Sequence, residues 1–221
     1  MTPRLLDLFC GAGGAGMGYA RAGFEVVGVD LSPMPRYPFE FYQADALHYL
    51  AEHWQEFDAI HASPPCQASS ALTKGTNRGR SYPQLIPATR EALTATGLPY
   101  IIENVQGAAV RRDAMLCGEM FGLGVIRHRL FEVAGFTVEA PAHRPHRGRV
   151  AGMRHGQWFT GPYFAVYGDG GGKGTVAQWR EAMGIDWTDV RTEIAQAIPP
   201  AFTAYLGAQL LTALNAEEVA A

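Results

Sequence analysis

The decapeptide HASPPCQASS, His61 to Ser70, sets a cysteine behind two consecutive prolines at the exit of the apolar run FDAIHASPP. Two prolines fix two φ angles and remove two backbone donors, so the Cys66 thiol is held with little conformational freedom, which suits a nucleophile. The plain alternative is a small buried hydrophobe. Upstream, DLFCGAGGAGMGYARAGFEVVGVD reads as a strand, a glycine-rich turn, a helix and a second strand ending in Asp30. Such a turn lets a ligand approach backbone N–H groups, and an acid at the end of the second strand suits the hydroxyls of a ribose: the chemistry of a nucleoside-cofactor pocket. The GxxxxGK[ST] of a phosphate loop is missing. Asp7 and Asp45 stand with Asp30 at the carboxyl ends of candidate strands, where an open α/β sheet binds ligands. Downstream, LPYIIENV places Glu103 and Asn104 at another strand's end. A carboxyl beside an apolar run holds its proton closer to neutral pH, as a proton-sharing group must.

The elements needed to carry these residues are legible in the pattern. Apolar runs at LLDLF, FEVVGVD, FEFYQADAL, FDAIHA, LPYIIENV and HRLFEVAGF alternate with helical stretches at Met17–Ala22 and Pro87–Thr96, the latter stopped by Gly97. Strands alternating with helices imply a mostly parallel sheet covered on both faces, a Rossmann-like α/β fold. From Pro141 to Thr175 the pattern dissolves into Pro, Gly, His and Arg, an irregular insertion, before the helices VAQWREAMG and PAFTAYLGAQLLTALN. The 221 residues, 48% of them hydrophobic, suffice for one domain with a sizeable core. We expect a single catalytic domain over 1–221, with 130–174 as a reduced recognition insertion and 175–215 as closing helices. No apolar run is long enough to cross a bilayer and no signal-peptide core is found at the N-terminus, so a soluble cytoplasmic protein, a monomer, is expected. Cys10, Cys66 and Cys117 are odd in number and widely spaced, with no CxxC pair, which suggests neither disulfides nor a metal site. Cys117 reads as packing. The net charge of −3 conceals an asymmetry: residues 141–175 carry +4 and the remainder −7.

DLFCGAGG, SPPCQ, ENV and RHR, in that order, resemble motifs of the S-adenosylmethionine-dependent cytosine-C5 DNA methyltransferases. The resemblance covers most of the chain. It implies that Phe9, Cys10, Gly11 and Gly13 line the methionine side of S-adenosylmethionine, that Asp30 takes the ribose hydroxyls and that Asp45 lies near the adenine, with Asp7 and Pro65 completing the cofactor set. It assigns Cys66 as the nucleophile, Glu103 as the grip on the target ring, and Arg127 and Arg129 as arginines around a flipped nucleotide. The chemistry explains these types. Cytosine C5 is a poor nucleophile until a thiolate adds to C6, and a proton shared with N3 neutralises the charge that develops. A nearby arginine increases the thiolate fraction.

The chain departs from the family pattern in three places: Val125 where a Gln is usual before the arginines, and Ala195 and Gln196 where Gly and Asn are usual in the last motif. The interval from Leu130 to Gly174, about 45 residues, is short for a sequence reader. Its Arg144, Arg147, Arg149 and Arg154, interleaved with Trp158, Phe159, Tyr163 and Phe164, suit phosphates and stacking, and Lys74, Arg78 and Arg80 in TKGTNRGR suit closure over a nucleic acid. Double-stranded DNA is the expected partner and S-adenosylmethionine the cofactor, without a metal. A tRNA methyltransferase, a methylase of free cytosine nucleotides and a catalytically silent nucleic-acid-binding protein are the rival readings.

Overall fold

The computed structural model of the chain describes residues 2–65, 85–154, 157–167 and 174–220. Cys66, Lys74, Arg78 and Arg80 therefore lie outside the described residues. Seven strands form the central sheet: β1 Arg4–Leu8, β2 Glu25–Asp30, β3 Glu40–Gln43, β4 Ala59–Ala62, β5 Tyr100–Asn104, β6 Ala114–Leu116 and β7 Arg129–Ala134, in the order 3-2-1-4-5-7-6. The first five are mutually parallel and β7 is antiparallel to both its neighbours. The runs of Leu, Val and Ile in β1, β2 and β5 are apolar on both faces because both faces are covered, as parallel sheets require.

Helices α1 (Gly14–Ala22) and α6 (Pro200–Ala220) contribute Tyr19, Phe202, Leu206 and Leu210 to the core on one face, where they meet Leu5, Val26, Ile101 and Phe131. On the other face α2 (Ala46–His53) and α3 (Leu85–Thr96) supply Tyr49, Leu50 and Leu93 against Leu6, Leu8, Val27 and Ile60. A third cluster joins α4 (Val176–Met183) and α5 (Arg191–Gln196) to Val125 and Val166, centred on the fully buried Trp179. The α1–α6 crossing is close: a Cβ on Gly18 would stand 2.0 Å from Thr203 Oγ1, and one on Gly14 would stand 2.3 Å from the carbonyl oxygen of Ile198, in the segment leading into α6. The small residues of GAGGAGMG thus serve helix packing as well as the turn before it.

Three features differ from the sequence reading. The QADAL segment is a helix start, with Asp45 as N-cap accepting from the Leu47 and His48 amides. An N-cap acid has non-helical φ/ψ, so the strand-like pattern runs into it without a break. The 141–175 stretch is not wholly irregular: β8 (Gly152–Arg154) pairs antiparallel with β9 (Gln157–Phe159), and Val150 bridges to Tyr163. Strand β6, only three residues long, is too short to show a period.

Candidate active site

The glycine-rich turn is shaped by backbone that side chains rarely adopt. Phe9 (φ 56°) and Gly11 (φ 50°) lie in the left-handed region as the chain leaves β1. For a bulky residue such as Phe9 that conformation costs about 1–2 kcal/mol, held here by the surrounding sheet. The Gly11 amide donates to Asp30 Oδ2 at 3.0 Å and the Ser32 amide to Oδ1 at 2.9 Å, so Asp30 pins the turn to the end of β2. Among the described residues, no atom other than those of Gly11 and its chain neighbours lies within 4 Å of where a Gly11 Cβ would be. Trp187 closes the far side, its Nε1 donating to the Ala12 carbonyl at 2.7 Å. Cys10 is buried, and burial together with Asp7 and Asp30 pushes its thiol well above the ordinary range, so it is not a reactive cysteine.

Asp7 is fully buried, and that burial pushes its pKa up to about 7 against the opposing hydrogen bonds from Tyr37 and Gly16. The Tyr37 hydroxyl donates to Asp7 Oδ2 at 3.2 Å. Its ring lies against Gly28, where a Cβ would come within 2.3 Å of it, and its hydroxyl is 2.7 Å from the Cβ position of Gly16. Two glycines therefore admit one tyrosine to the buried acid. Sequence reasoning missed Tyr37, because LSPMPRYPF shows no period and reads only as a connection.

On the other side of the crevice, the exit of β4 is fixed up to Pro65. His61 is fully buried, with Nδ1 2.9 Å from the Tyr19 hydroxyl and Nε2 2.9 Å from Ser63 Oγ. Burial lowers its pKa to about 3, so it is a neutral imidazole that orients two hydroxyls. Asn104, at the end of β5, donates through Nδ2 to the Pro64 carbonyl at 2.9 Å and accepts from the Val105 amide at 3.0 Å. Cys66 follows directly in the chain.

Glu103 is 6% exposed and forms an ion pair with Arg129, Oε1 to Nε 2.7 Å. Burial raises its pKa above the ordinary carboxyl value, opposed by Arg129, Arg127 and a bond with the Ser63 hydroxyl. A chain of polar groups, Tyr19, His61, Ser63 and Glu103, thus runs from the helix face to the carboxyl. Arg127, the other arginine expected around the substrate, lends its charge to Glu103 and is also held by the main chain. With φ 38° it turns its guanidinium toward two main-chain oxygens, Nη1 to Val166 at 3.0 Å and Nη2 to Ala195 at 2.7 Å. It ties the approach to β7 to α5. Val125, where a Gln was expected, is buried in the Trp179 cluster, and Gln196 is exposed at the end of α5.

The basic segment divides in the same way. Arg147 pairs with Glu119 at 2.7 Å and its amide donates to the Tyr163 hydroxyl, which itself bonds Glu119. Arg149 lies 5.1 Å over the Phe159 ring, and Arg144 is exposed. Arg154 belongs to β8. Cys117, assigned to packing, is buried but stands with His128, His143 and His146, a grouping that the spacing of the cysteines alone did not suggest. The missed signal was histidine: HRPH, His143 to His146, in a chain with seven.

Among the described helices none is long and apolar enough to cross a membrane. The fold is similar to that of solved methyltransferases of low identity. The Dnmt2 methyltransferase of S. pombe superposes with a TM-score of 0.62 at 14% identity over 96% of this chain and 99% of that one. The Entamoeba histolytica methyltransferase EhMeth gives 0.61 at 13%, over 99% of each chain. A curated relative, the Type II methyltransferase M.FnuDI of Fusobacterium nucleatum, is 28% identical over 148 residues, 61% of this chain but 40% of that protein. The family model for C-5 cytosine-specific DNA methylases matches residues 3–117, a span that takes in the pinned glycine turn, the SPPC exit and Glu103. With more than half of its length inside that match, the chain belongs to the C-5 cytosine-specific DNA methylase family.

Proposed function

We propose that the chain transfers a methyl group from S-adenosylmethionine to C5 of cytosine in DNA through a covalent Cys66–C6 adduct. The observation that carries the reading is the buried Glu103–Arg129 pair, joined through Ser63 to the segment that delivers Cys66. The DNA substrate rests on the family description and on M.FnuDI, itself a type II methyltransferase.

The residues around the glycine turn fit the cofactor. Asp7 Oδ1 is a buried carboxylate oxygen without a hydrogen-bond partner among the described residues, and the space beside Gly11 is open. Asp30 at the end of β2 suits the ribose hydroxyls, Phe9, Cys10, Gly11 and Gly13 the methionine side, and Asp45 the adenine end, its Oδ1 already serving α2. Pro65 stands at the rim. When bound, S-adenosylmethionine supplies a methyl group on a sulfonium, an electrophile that an unactivated cytosine would not take.

Cys66 acts as a thiolate, forming the S–C6 bond. Glu103, whose burial raises its pKa above the ordinary carboxyl value against the pull of Arg129 and Arg127, shares a proton with N3 and holds the exocyclic amine while negative charge moves into the ring, a preorganised stabilisation. Arg129 orients that carboxyl. Arg127, held by the Val166 and Ala195 carbonyls, adds its positive charge near Glu103. After C5 has gained the methyl group and lost its proton to a base, the S–C6 electrons return to sulfur and Cys66 leaves. Because Cys66 is reached only by a base taken out of its stack, Arg144, Arg147, Arg149 and Arg154, with Lys74, Arg78 and Arg80, serve to hold the backbone around it. Residues 130–174 act as the reduced recognition segment and 175–215 as the closing helices of a single catalytic domain.

The test is transfer of labelled methyl to duplex DNA, single-stranded DNA, tRNA and dCMP, with Cys66→Ser in parallel and nucleoside mass analysis of the products. 5-Methylcytosine in duplex DNA, abolished by Cys66→Ser, is the expected result. Labelling of tRNA or dCMP alone overturns the DNA reading and keeps the chemistry. No labelling by a protein that still binds the cofactor identifies a silent binder.

A further inference from the structure

Cys117 follows β6, His128 stands between Arg127 and Arg129 at the entry to β7, and His143 and His146 lie on the segment leading to β8. Three separate segments of the chain thus send four donor atoms to one place, where the thiol sulfur and three imidazole nitrogens all lie within 4.8 Å of one another. The separations approach those of a coordination shell, the imidazole pairs standing a few tenths of an ångström closer than they would around a bound ion. Cys117 Sγ is 3.4 Å from His146 Nε2, His128 Nε2 is 3.0 Å from His143 Nε2, and His143 Nε2 is 3.2 Å from His146 Nε2. A tetrahedral zinc ion with Zn–N near 2.0–2.1 Å and Zn–S near 2.3 Å spaces its donors by about 3.3–3.7 Å.

Hydrogen bonding among the four groups leaves the set incomplete. Each neutral imidazole has one N–H, so His143 Nε2, facing two other Nε2 atoms, can satisfy at most one of them with its own hydrogen. Protonating all three rings would place like charges about 3 Å apart. A central cation satisfies every donor at once. One thiolate with three imidazoles in a compact shell is the donor set of zinc rather than of calcium or magnesium, and four protein ligands close the shell, which makes the site structural.

We propose that Cys117, His128, His143 and His146 bind one zinc ion that staples the basic segment to the β6–β7 edge beside Arg129. The inference stands on the cluster alone and goes beyond the methyltransferase reading. Its purpose follows from what else holds the segment. Among the described residues, 143–149 is docked by the Arg147–Glu119 ion pair, by hydrogen bonds among Arg147, Tyr163 and Glu119, and by ring contacts of His146 with Tyr163 and of Arg149 with Phe159; with Arg147 62% exposed, that pair is of small net worth. A cross-link made by a metal supplies the rigidity that so small a segment cannot draw from a core of its own.

The experiment uses the full chain, free of any histidine tag, expressed with zinc and dialysed. Metal analysis of the folded protein is expected to give about one zinc per chain. Replacing zinc by cobalt(II) is expected to give the visible spectrum of a tetrahedral site with a thiolate charge-transfer band. That band disappears in Cys117→Ser and persists in Cys66→Ser, which separates the site from the catalytic thiol. His143→Ala, on the exposed segment, removes a ligand without touching the core and lowers zinc affinity at least about ten-fold. A folded chain that retains no zinc and gives no tetrahedral cobalt spectrum overturns the proposal, as does a charge-transfer band that survives Cys117→Ser. The metal readouts do not depend on methyl transfer, so their failure and a failure of the proposed function are distinguishable.

Discussion

Between β1 and β4 the crevice is positioned by main chain: parallel ladders with Leu, Val and Ile on both faces, a turn pinned by Asp30, and glycines that let Tyr37 and α6 come close. From β6 to β9 positions are set by side chains, with Arg127 on carbonyls, Arg147 on Glu119 and a Cys/His group gathered from three segments. The first region, proposed above to hold the cofactor, tolerates little change in volume. The second, proposed above to face nucleic acid, depends on ionic partners. Glu103 sits where the two meet.

Removing that junction has the largest expected effect. Glu103→Gln keeps the shape but cannot share its proton in the same way, and kcat should fall about 10²–10³-fold with cofactor affinity unchanged. Equal loss of cofactor binding would show that Glu103 belongs to the first region instead. Gly18→Ala tests the close approach of α1 to α6: with Thr203 Oγ1 2.0 Å from the new Cβ, unfolding stability should drop by about 3 kcal/mol in denaturant titration. A change within 0.5 kcal/mol would mean that the helices part easily.

Acidity separates the regions further. An ordinary carboxyl ionises near 3.8, whereas buried Asp7 does so near 7, so between these values the folded state holds a proton that the unfolded state has released. The ligand-free protein therefore loses stability as pH rises toward 7. His61 acts in the opposite sense: its folded pKa near 3 lies below the usual 6.5, so its stabilising effect is lost as pH falls below 6.5. Asp7→Asn isolates the first effect. Relative to wild type it should gain about 3 kcal/mol on going from pH 5 to pH 8, measured by denaturant midpoints without cofactor. A constant difference would place Asp7 in contact with water. The smallest effect belongs to the charged edge. Arg147→Ala should cost about 1 kcal/mol or less in stability, and Arg144→Ala should weaken DNA binding evenly across sequences and flatten its salt dependence by about one unit of slope. If Arg144→Ala leaves the salt slope unchanged, the segment is a solvated loop.

The strand ends carrying Asp7, Asp30 and Glu103 were legible because each lies at the end of an apolar run, and the glycine turn because its residues are adjacent. Asp45 was legible as an acid at an element's end, though the element it starts is a helix. Cys66 was singled out by the stiffness of the two prolines before it and by the family motif, and it lies outside the described residues.

The sequence by itself determined the class of sheet and the order of the motifs along it, since local spacing dictates backbone period and turn geometry; the chemistry proposed for those motifs rests on their likeness to the family. Only the tertiary structure decided which charges are committed and which side chains meet. It spent Arg127 on carbonyls 39 and 68 residues away, paired Arg129 with Glu103, delivered Tyr37 to Asp7 and brought Cys117 to three histidines. These meetings join distant parts of the chain, and packing of the elements, not spacing along the chain, fixes the distance between them.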